Sequence, residues 1–346
     1  MNTFKPRGIA TVIGSLPLTN PDEAAALMLD NLQAMPAWPQ LPKLSFKENM
    51  YVQYSEGLPG AVVDEADEKI SFQTADIEGL EMFYQKYLDK ELDYFAITPD
   101  YAAGLDSFIK KVQAMPVKPP VLKGQVTGPI TFGLTLKDEN GKPVLYNEQF
   151  ADVIVKGLSM KAAWQESVFK KVAPSALTAI FFDEPYLVSF GSAFVSLNEK
   201  EALAKLNECF SAVSGLSGIH VCGGTDWGLI MQTSVDIIHF DAYDYFESMT
   251  LYPGQLKSFL QRGGILAWGI TPHTSYIEAE SANSLFGRLQ VSIDRLVAFG
   301  IDKQKLVEQS LIAPSCGAGS LSPANAKKAL NLTKDVSILF QNHFFD

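Results

Sequence analysis

TAIFFDE, residues 178–184, is an apolar, aromatic-rich run that breaks off on two carboxylates. A long helical pattern, NEQFADVIVKGLSMKAAWQESVFKKV at 147–172, leads into it. Short β-branched or aromatic runs bounded by polar residues read as strands, and apolar positions recurring with the helical period read as helices. The same pairing recurs along the chain. ATVIGS (10–15), YFAIT (94–98), PVLKGQ (120–125), GIHVC (218–222), DIIHFD (236–241), GILAWGI (264–270) and SLIAPSC (310–316) are runs of the same kind. Helical patterns at 76–88, 198–215 and 281–300 precede the second, fifth and eighth runs, and one at 322–344 closes the chain. Eight strands alternating with helices predict an α/β fold, a (β/α)8 TIM barrel, with residues 1–346 as a single domain. A doubly wound sheet also alternates, but eight parallel strands favour closure. Residues 16–92 hold MPAWPQLPKLSFKEN and EGLPGAVVDEADEK, Pro/Gly-rich stretches that read as an elaborated first βα connection. LKDENGKPVLYN (136–147) reads as a β-hairpin insertion with an Asn-Gly turn.

Composition narrows the function classes. Hydrophobic residues make up 47% of the 346, enough for a sizeable core, and charged residues only 19%, which argues against disorder. A net charge of −11 without a Lys/Arg cluster argues against nucleic acid as a partner. MNTFKPRGIATVIGSLP lacks the apolar core of a signal peptide, and no apolar stretch reaches the roughly 18 residues that span a bilayer. A cytoplasmic location and no membrane partner are therefore expected. Three cysteines are too few for a disulfide scaffold, so a cysteine that matters in a reducing compartment is expected as a ligand or nucleophile.

In a (β/α)8 barrel the chemistry sits at the C-terminal ends of the strands. Those ends deliver Ser15, Gln125, Thr127, Asp183, Glu184, His220, Cys222, Asp241, Thr271, His273 and Cys316. His220 and Cys222 stand two apart and so project from one strand face. An imidazole and a thiolate on one face suit Zn²⁺, with Cys316 as third ligand and Asp241 at a fourth, exchangeable position. A His-x-Cys pair alone is also compatible with ordinary core packing, because cysteine is often buried; Cys316 at another strand end strengthens the metal reading. His239 shares a face with Asp241 and is open to a packed role, a supporting role or that of substitute ligand. Cys209 falls in a helical pattern and reads as packing, His343 as a solvated tail residue. Asp183 and Glu184 can bind an ammonium group, handle protons or simply make a turn. The Gly-Ser turn in VIGSLP offers backbone N–H groups to a carboxylate, or is an ordinary connection. Together they suit an amino acid. His273 is a candidate proton donor, with a surface role as the alternative.

TVIGSLP, VKPPVLKGQVTGPIT, FFDEP, IHVCGG, DIIHFD and IAPSCGAGSLS, in this order, resemble the C-terminal barrel of cobalamin-independent methionine synthases. They also resemble the wider superfamily of uroporphyrinogen decarboxylase-like barrels, which includes corrinoid-dependent thiol methyltransferases. The similarity runs from residue 8 to 340 and is weakest over 16–92. It implies a zinc enzyme that methylates a thiol, with His220, Cys222 and Cys316 as zinc ligands and Asp241 where the synthases have a glutamate. It further implies that Ile13, Gly14 and Ser15 hold the homocysteine carboxylate and Asp183 its amine. A second amine-binding glutamate falls in the diverged region, where Glu48 is the candidate. The family's proton-donor histidine is displaced: Thr271 stands there and His273 follows two residues later. With room for one barrel and no recognisable pterin segment, the implied donor is methylcobalamin or another methylated corrinoid, carried by a corrinoid protein as partner. A coenzyme M-type thiol methyltransferase and a non-catalytic zinc barrel that binds a corrinoid protein are the alternatives. A uroporphyrinogen decarboxylase would leave the His-x-Cys pair unexplained.

Overall fold

A computed structural model of the chain describes residues 4–74, 78–191 and 196–346. Its centre is a parallel sheet of six strands in sequential order: β3 (Val121–Thr127), β4 (Leu177–Asp183), β5 (Leu216–Val221), β6 (Ile237–Asp241), β7 (Ile265–Thr271) and β8 (Ser310–Pro314). Earlier in the chain β1 (Ala61–Asp64) and β2 (Lys69–Phe72) form a separate antiparallel hairpin. Every residue of β3 and β5–β8 is buried, because helices cover one face and side chains fill the other. This is why the runs are continuously apolar rather than alternating.

Two of the eight expected strands are not regular strands. ATVIGS meets the sheet through a single isolated parallel bridge, Ala10 to Ile312 of β8, with Thr11 N–H donating to the Ile312 carbonyl at 2.9 Å. YFAIT is not in the sheet at all: Leu92–Phe95 is a 3-10 turn, and Phe95 packs edge-on against Phe83 with ring centroids 5.5 Å apart. A short apolar run does not by itself distinguish a strand from a buried turn. The place beside β3 is taken instead by residues 34–38, where Ala37 bridges Lys123 and Lys123 N–H donates to the Pro36 carbonyl at 3.0 Å. Pro36 and Pro39 have no N–H to give, so the segment pairs sparsely. A third bridge, Ser15 to Gln40, joins the two irregular segments, so hydrogen bonds link both edges of the sheet.

The helical readings fare better. The pattern at 147–172 is the helix Glu148–Val172, N-capped by Asn147. Those at 198–215 and 281–300 are Glu199–Ser211 and Ala282–Ala298, each opened by a capping box, on Asn198 and Ser281. The last is Pro323–Phe345, with Ser322 as cap and Pro323 in the first turn. Asp76 and Ile77, the start of the pattern at 76–88, lie outside the described residues; the helix there is Glu78–Leu88. At 136–147 the insertion reduces to one antiparallel bridge, Lys137 to Pro143, around a turn in which Gly141 takes a φ of 75°. No described helix is long and apolar enough to cross a membrane.

Candidate metal centre

His220, Cys222 and Cys316 come together at the C-terminal end of the sheet. Their ligand atoms all lie within 4.8 Å of one another. His220 is on β5, Cys222 just past it, and Cys316 two residues beyond β8, so two strands that are not adjacent in the sheet supply all three at one end of it. Cys316 Sγ is 3.6 Å from His220 Nε2. A tetrahedral zinc with bonds of about 2.3 Å to sulfur and 2.0–2.1 Å to nitrogen has an S···N edge of about 3.6 Å. The donor set and this separation fit such an ion.

The three line a cavity of about 400 Å³ together with Ile13, Ser15, Gln40, Glu48, Met50 and Asp183. Burial pushes His220 well below the ordinary imidazole range, with the neighbouring His239 acting in the same sense. The Cys316 thiol hydrogen-bonds to Cys222, which draws Cys222 below its ordinary value and holds Cys316 well above it. Each of the two thus sets the other's readiness to lose a proton.

His239 engages both ring nitrogens elsewhere: Nδ1 is 2.6 Å from His220 Nδ1 and Nε2 is 2.9 Å from the Pro314 carbonyl oxygen. It is fully buried, and burial pushes it down to about 3.

Asp241 is buried at the end of β6. Its Oδ1 accepts from the Tyr243 and Asp244 N–H groups, both at 2.9 Å, while Oδ2 is buried without a partner. Burial raises it to about 6. Its carboxyl is not one of the three clustered ligand groups.

Asp183 and Glu184 part company. Asp183 lines the cavity, and its Oδ1 is buried without a partner. Burial raises it to about 7, against the pull of Lys123, itself pushed down to about 8 by burial. Lys123 Nζ donates to the Ile13 carbonyl at 2.7 Å and lies 4.4 Å from the Phe181 ring centroid. Glu184 does not line the cavity. Its oxygens accept from Ile130 N–H (2.9 Å) and Thr131 N–H (2.7 Å), clamping the start of the helix Pro129–Thr135. A Cβ on Gly128 would come within 2.3 Å of that carboxylate, so the close approach requires glycine.

Ile13 and Ser15 lie on the cavity wall; Ser15 Oγ accepts from Gly319 N–H at 3.3 Å. Gly14 is pressed against Gln125, whose amide would be 2.7 Å from an added Cβ. Gln125 and Thr127 tie loops instead of facing the cavity, donating to the Trp38 and Met50 carbonyls. Thr271 pairs with Thr333 at 3.0 Å. His273 is half-buried with Nδ1 2.8 Å from Ser315 Oγ, is lowered by burial, and is not among the lining residues.

Glu48 faces the same cavity as Asp183, but its oxygens accept from Leu41 N–H (2.7 Å) and Ala103 N–H (2.9 Å). Three residues escaped the sequence reading. Lys123 had a signal, a lysine inside an otherwise apolar strand. Gln40 and Met50 had none, because they come from the diverged Pro-rich connection.

No protein-family model matches the chain, and no curated protein matches its sequence. Solved structures do. A B12-independent methionine synthase from Shewanella sp. W3-18-1, in complex with selenomethionine, aligns over 97% of this chain and 98% of its own, with 16% identity and a TM-score of 0.61. A methyltransferase from Methanosarcina mazei aligns over 92% and 86%, with 14% identity and a TM-score of 0.55. At these identities the likeness is one of fold.

Proposed function

We propose that the chain is a zinc-dependent thiol methyltransferase, a single (β/α)8 barrel whose first two strands are irregular. Its acceptor in this reading is homocysteine, giving methionine, and its donor a methylated corrinoid carried by a partner protein. The observation that carries the reading is the convergence of His220, Cys222 and Cys316 on one cavity whose wall also holds a buried carboxylate with an open oxygen. Zinc held by these three would deprotonate a bound thiol and keep its sulfur nucleophilic.

The residues around it suit an amino acid. Asp183 Oδ1 is an unfilled acceptor for an ammonium group. Ser15, having accepted from Gly319, keeps its own hydroxyl proton to donate to a carboxylate. Asp241 Oδ2, the unfilled oxygen at the end of β6, is assigned the exchangeable fourth position. Glu184 is assigned to holding the cavity wall, through its clamp on the helix Pro129–Thr135. A donor that leaves as a base would take its proton from His273, which is tied to the residue before Cys316.

Metal analysis of the purified chain beside Cys316→Ser tests this directly. About one zinc per chain, lost in the variant, together with methylation of homocysteine from methylcobalamin, supports the whole reading. Turnover with 5-methyltetrahydrofolate instead replaces only the donor, and turnover with coenzyme M replaces the acceptor. Zinc without transfer to any thiol leaves a binding barrel. Protein that takes up no zinc overturns the mechanism.

A further inference from the structure

The hydrogen bonds behind the three clustered ligands run in one direction, and the direction can be deduced. Pro314 offers His239 a carbonyl oxygen, which can only accept. At 2.9 Å, His239 Nε2 must therefore carry the proton of that bond. A neutral imidazole has one N–H, so His239 Nδ1 is left with a lone pair. His220 Nδ1 lies 2.6 Å from it, too close for two lone pairs to face each other. The His220 proton is thus on Nδ1, and its Nε2 lone pair is free on the side of Cys316, 3.6 Å away.

The alternative is a doubly protonated His239, which would leave His220 with its proton on Nε2, aimed at the sulfurs. That requires an imidazolium at a fully buried position on a strand, between Ile238 and Phe240, which are themselves fully buried. A buried cation there has no carboxylate among its hydrogen-bond partners. The neutral chain is the arrangement the surroundings favour.

We propose that His239 is a positioning residue that fixes His220 in its Nδ1–H tautomer and so presents the Nε2 lone pair to the space between the Cys222 and Cys316 sulfurs. The same ring anchors the end of β8, since Pro314 lies two residues before Cys316. One imidazole on β6 thereby orients the nitrogen donor of β5 and holds the strand end that carries a sulfur donor. Its two ring nitrogens are both used in doing so, which removes His239 itself from the ligand set. A metal-bound histidine usually gives its remote N–H to a carboxylate, a carbonyl or water. Here a second histidine stands in that position and passes the bond on to a carbonyl. The proposal rests on the metal reading above only for its purpose; the tautomer is a property of the metal-free chain.

Selective ¹⁵N labelling of histidine makes the test tractable, because the chain has four histidines. Two-bond ¹⁵N–¹H correlations on the metal-free protein, with His220 assigned by His220→Gln, read the tautomer. The expected result is a protonated Nδ1 on His220 and a protonated Nε2 on His239. His239→Leu should return His220 toward the Nε2–H form and weaken zinc binding about 10- to 100-fold in a chelator competition. His239→Gln can accept through its amide oxygen and donate through its amide nitrogen, so it should restore both. His220 protonated on Nε2 in the unmodified chain overturns the proposal, even where the leucine variant fails to fold. So does zinc affinity unchanged in a folded His239→Leu. The expected tautomer with no zinc uptake by the unmodified chain supports the relay and overturns the metal reading instead.

Discussion

The cavity floor and the clamp beneath the helix Pro129–Thr135 are both built on buried carboxylates from strand ends, yet they are finished differently. In the clamp, both Glu184 oxygens receive backbone N–H groups. Glu166 is treated the same way, accepting from Ser214 and Gly215 N–H groups and from the Thr178 and Ser214 hydroxyls. On the floor, Asp183 keeps one buried oxygen without a partner, and so does Asp241 at the end of β6, outside the lining residues. Burial is the same; satisfaction is not. A buried acceptor left open costs free energy that folding alone does not return. The contrast therefore separates carboxylates whose oxygens are taken up within the fold from carboxylates with an oxygen left open, and it does so for two adjacent residues of one motif.

The largest effect should come from breaking the clamp. Glu184→Ala strands two buried N–H groups and leaves a void, and should cost about 3–5 kcal/mol in denaturant unfolding. Metal uptake by the fraction that remains folded should be unchanged. A loss of zinc from well-folded protein would place Glu184 in the site after all and erase the contrast.

Next in size is a pH effect from the open carboxylate at the end of β6. Asp241 is raised by burial to about 6 in the folded chain from an ordinary value of 3.8. The folded state then holds its proton more tightly than the unfolded state, so the contribution to stability is full below pH 3.8 and is lost as pH rises through 6. In zinc-free protein this amounts to as much as about 3 kcal/mol. Urea titrations from pH 4 to 8 should show the decline, and Asp241→Asn should remove that part of it. An identical profile in the variant would mean the open oxygen has a partner.

Asp183→Asn comes third. It should weaken binding of an amino-acid thiol by about 2–3 kcal/mol, roughly 30- to 150-fold in KM, while leaving unfolding stability level or higher. The sign of the stability change is the informative part, because it is opposite to that for Glu184→Ala. If both variants unfold with equal ease, the two carboxylates are alike and only position distinguishes them.

How far this contrast was legible in the sequence follows from its chemistry. Strand ends are marked by where apolar runs stop, and six of the eight runs are regular strands with the reactive residues at their ends. His220 and Cys222 follow from strand periodicity, and Cys316 from its place after β8. Which of Asp183 and Glu184 turns inward is not written in FFDEP, because it depends on the N–H groups of Ile130 and Thr131, more than fifty residues away in the chain. The irregular segments at the two edges of the sheet escaped for a related reason. Their pairing is sparse and proline-interrupted, so residues 34–38 carry loop chemistry while occupying a sheet edge. Propensity sees local bonds, and these are distant ones.

The smallest predicted effect tests whether an open polar group always means a ligand. Lys161, in the helix Glu148–Val172, is fully buried, and its Nζ has no hydrogen-bond partner. It lies away from the residues that line the cavity. If openness alone signalled function, Lys161 would be a site; if openness outside a cavity is simply a cost, removing the charge should help. Burial lowers it to about 8 from 10.5, so below pH 8 the folded chain carries a charge that the unfolded chain solvates better. Lys161→Met should therefore stabilise the protein by about 1–2 kcal/mol at pH 7, once altered packing is set against the relieved charge. The unfolded state binds the extra proton between pH 8 and 10.5, so the unmodified chain gains stability across that window and the advantage of methionine should shrink there. Urea unfolding at pH 7 and pH 10 measures both. Stabilisation that fades with alkali confines the meaning of an open group to the cavity; destabilisation at both pH values would show that Lys161 has a partner and that openness must be judged there by other means.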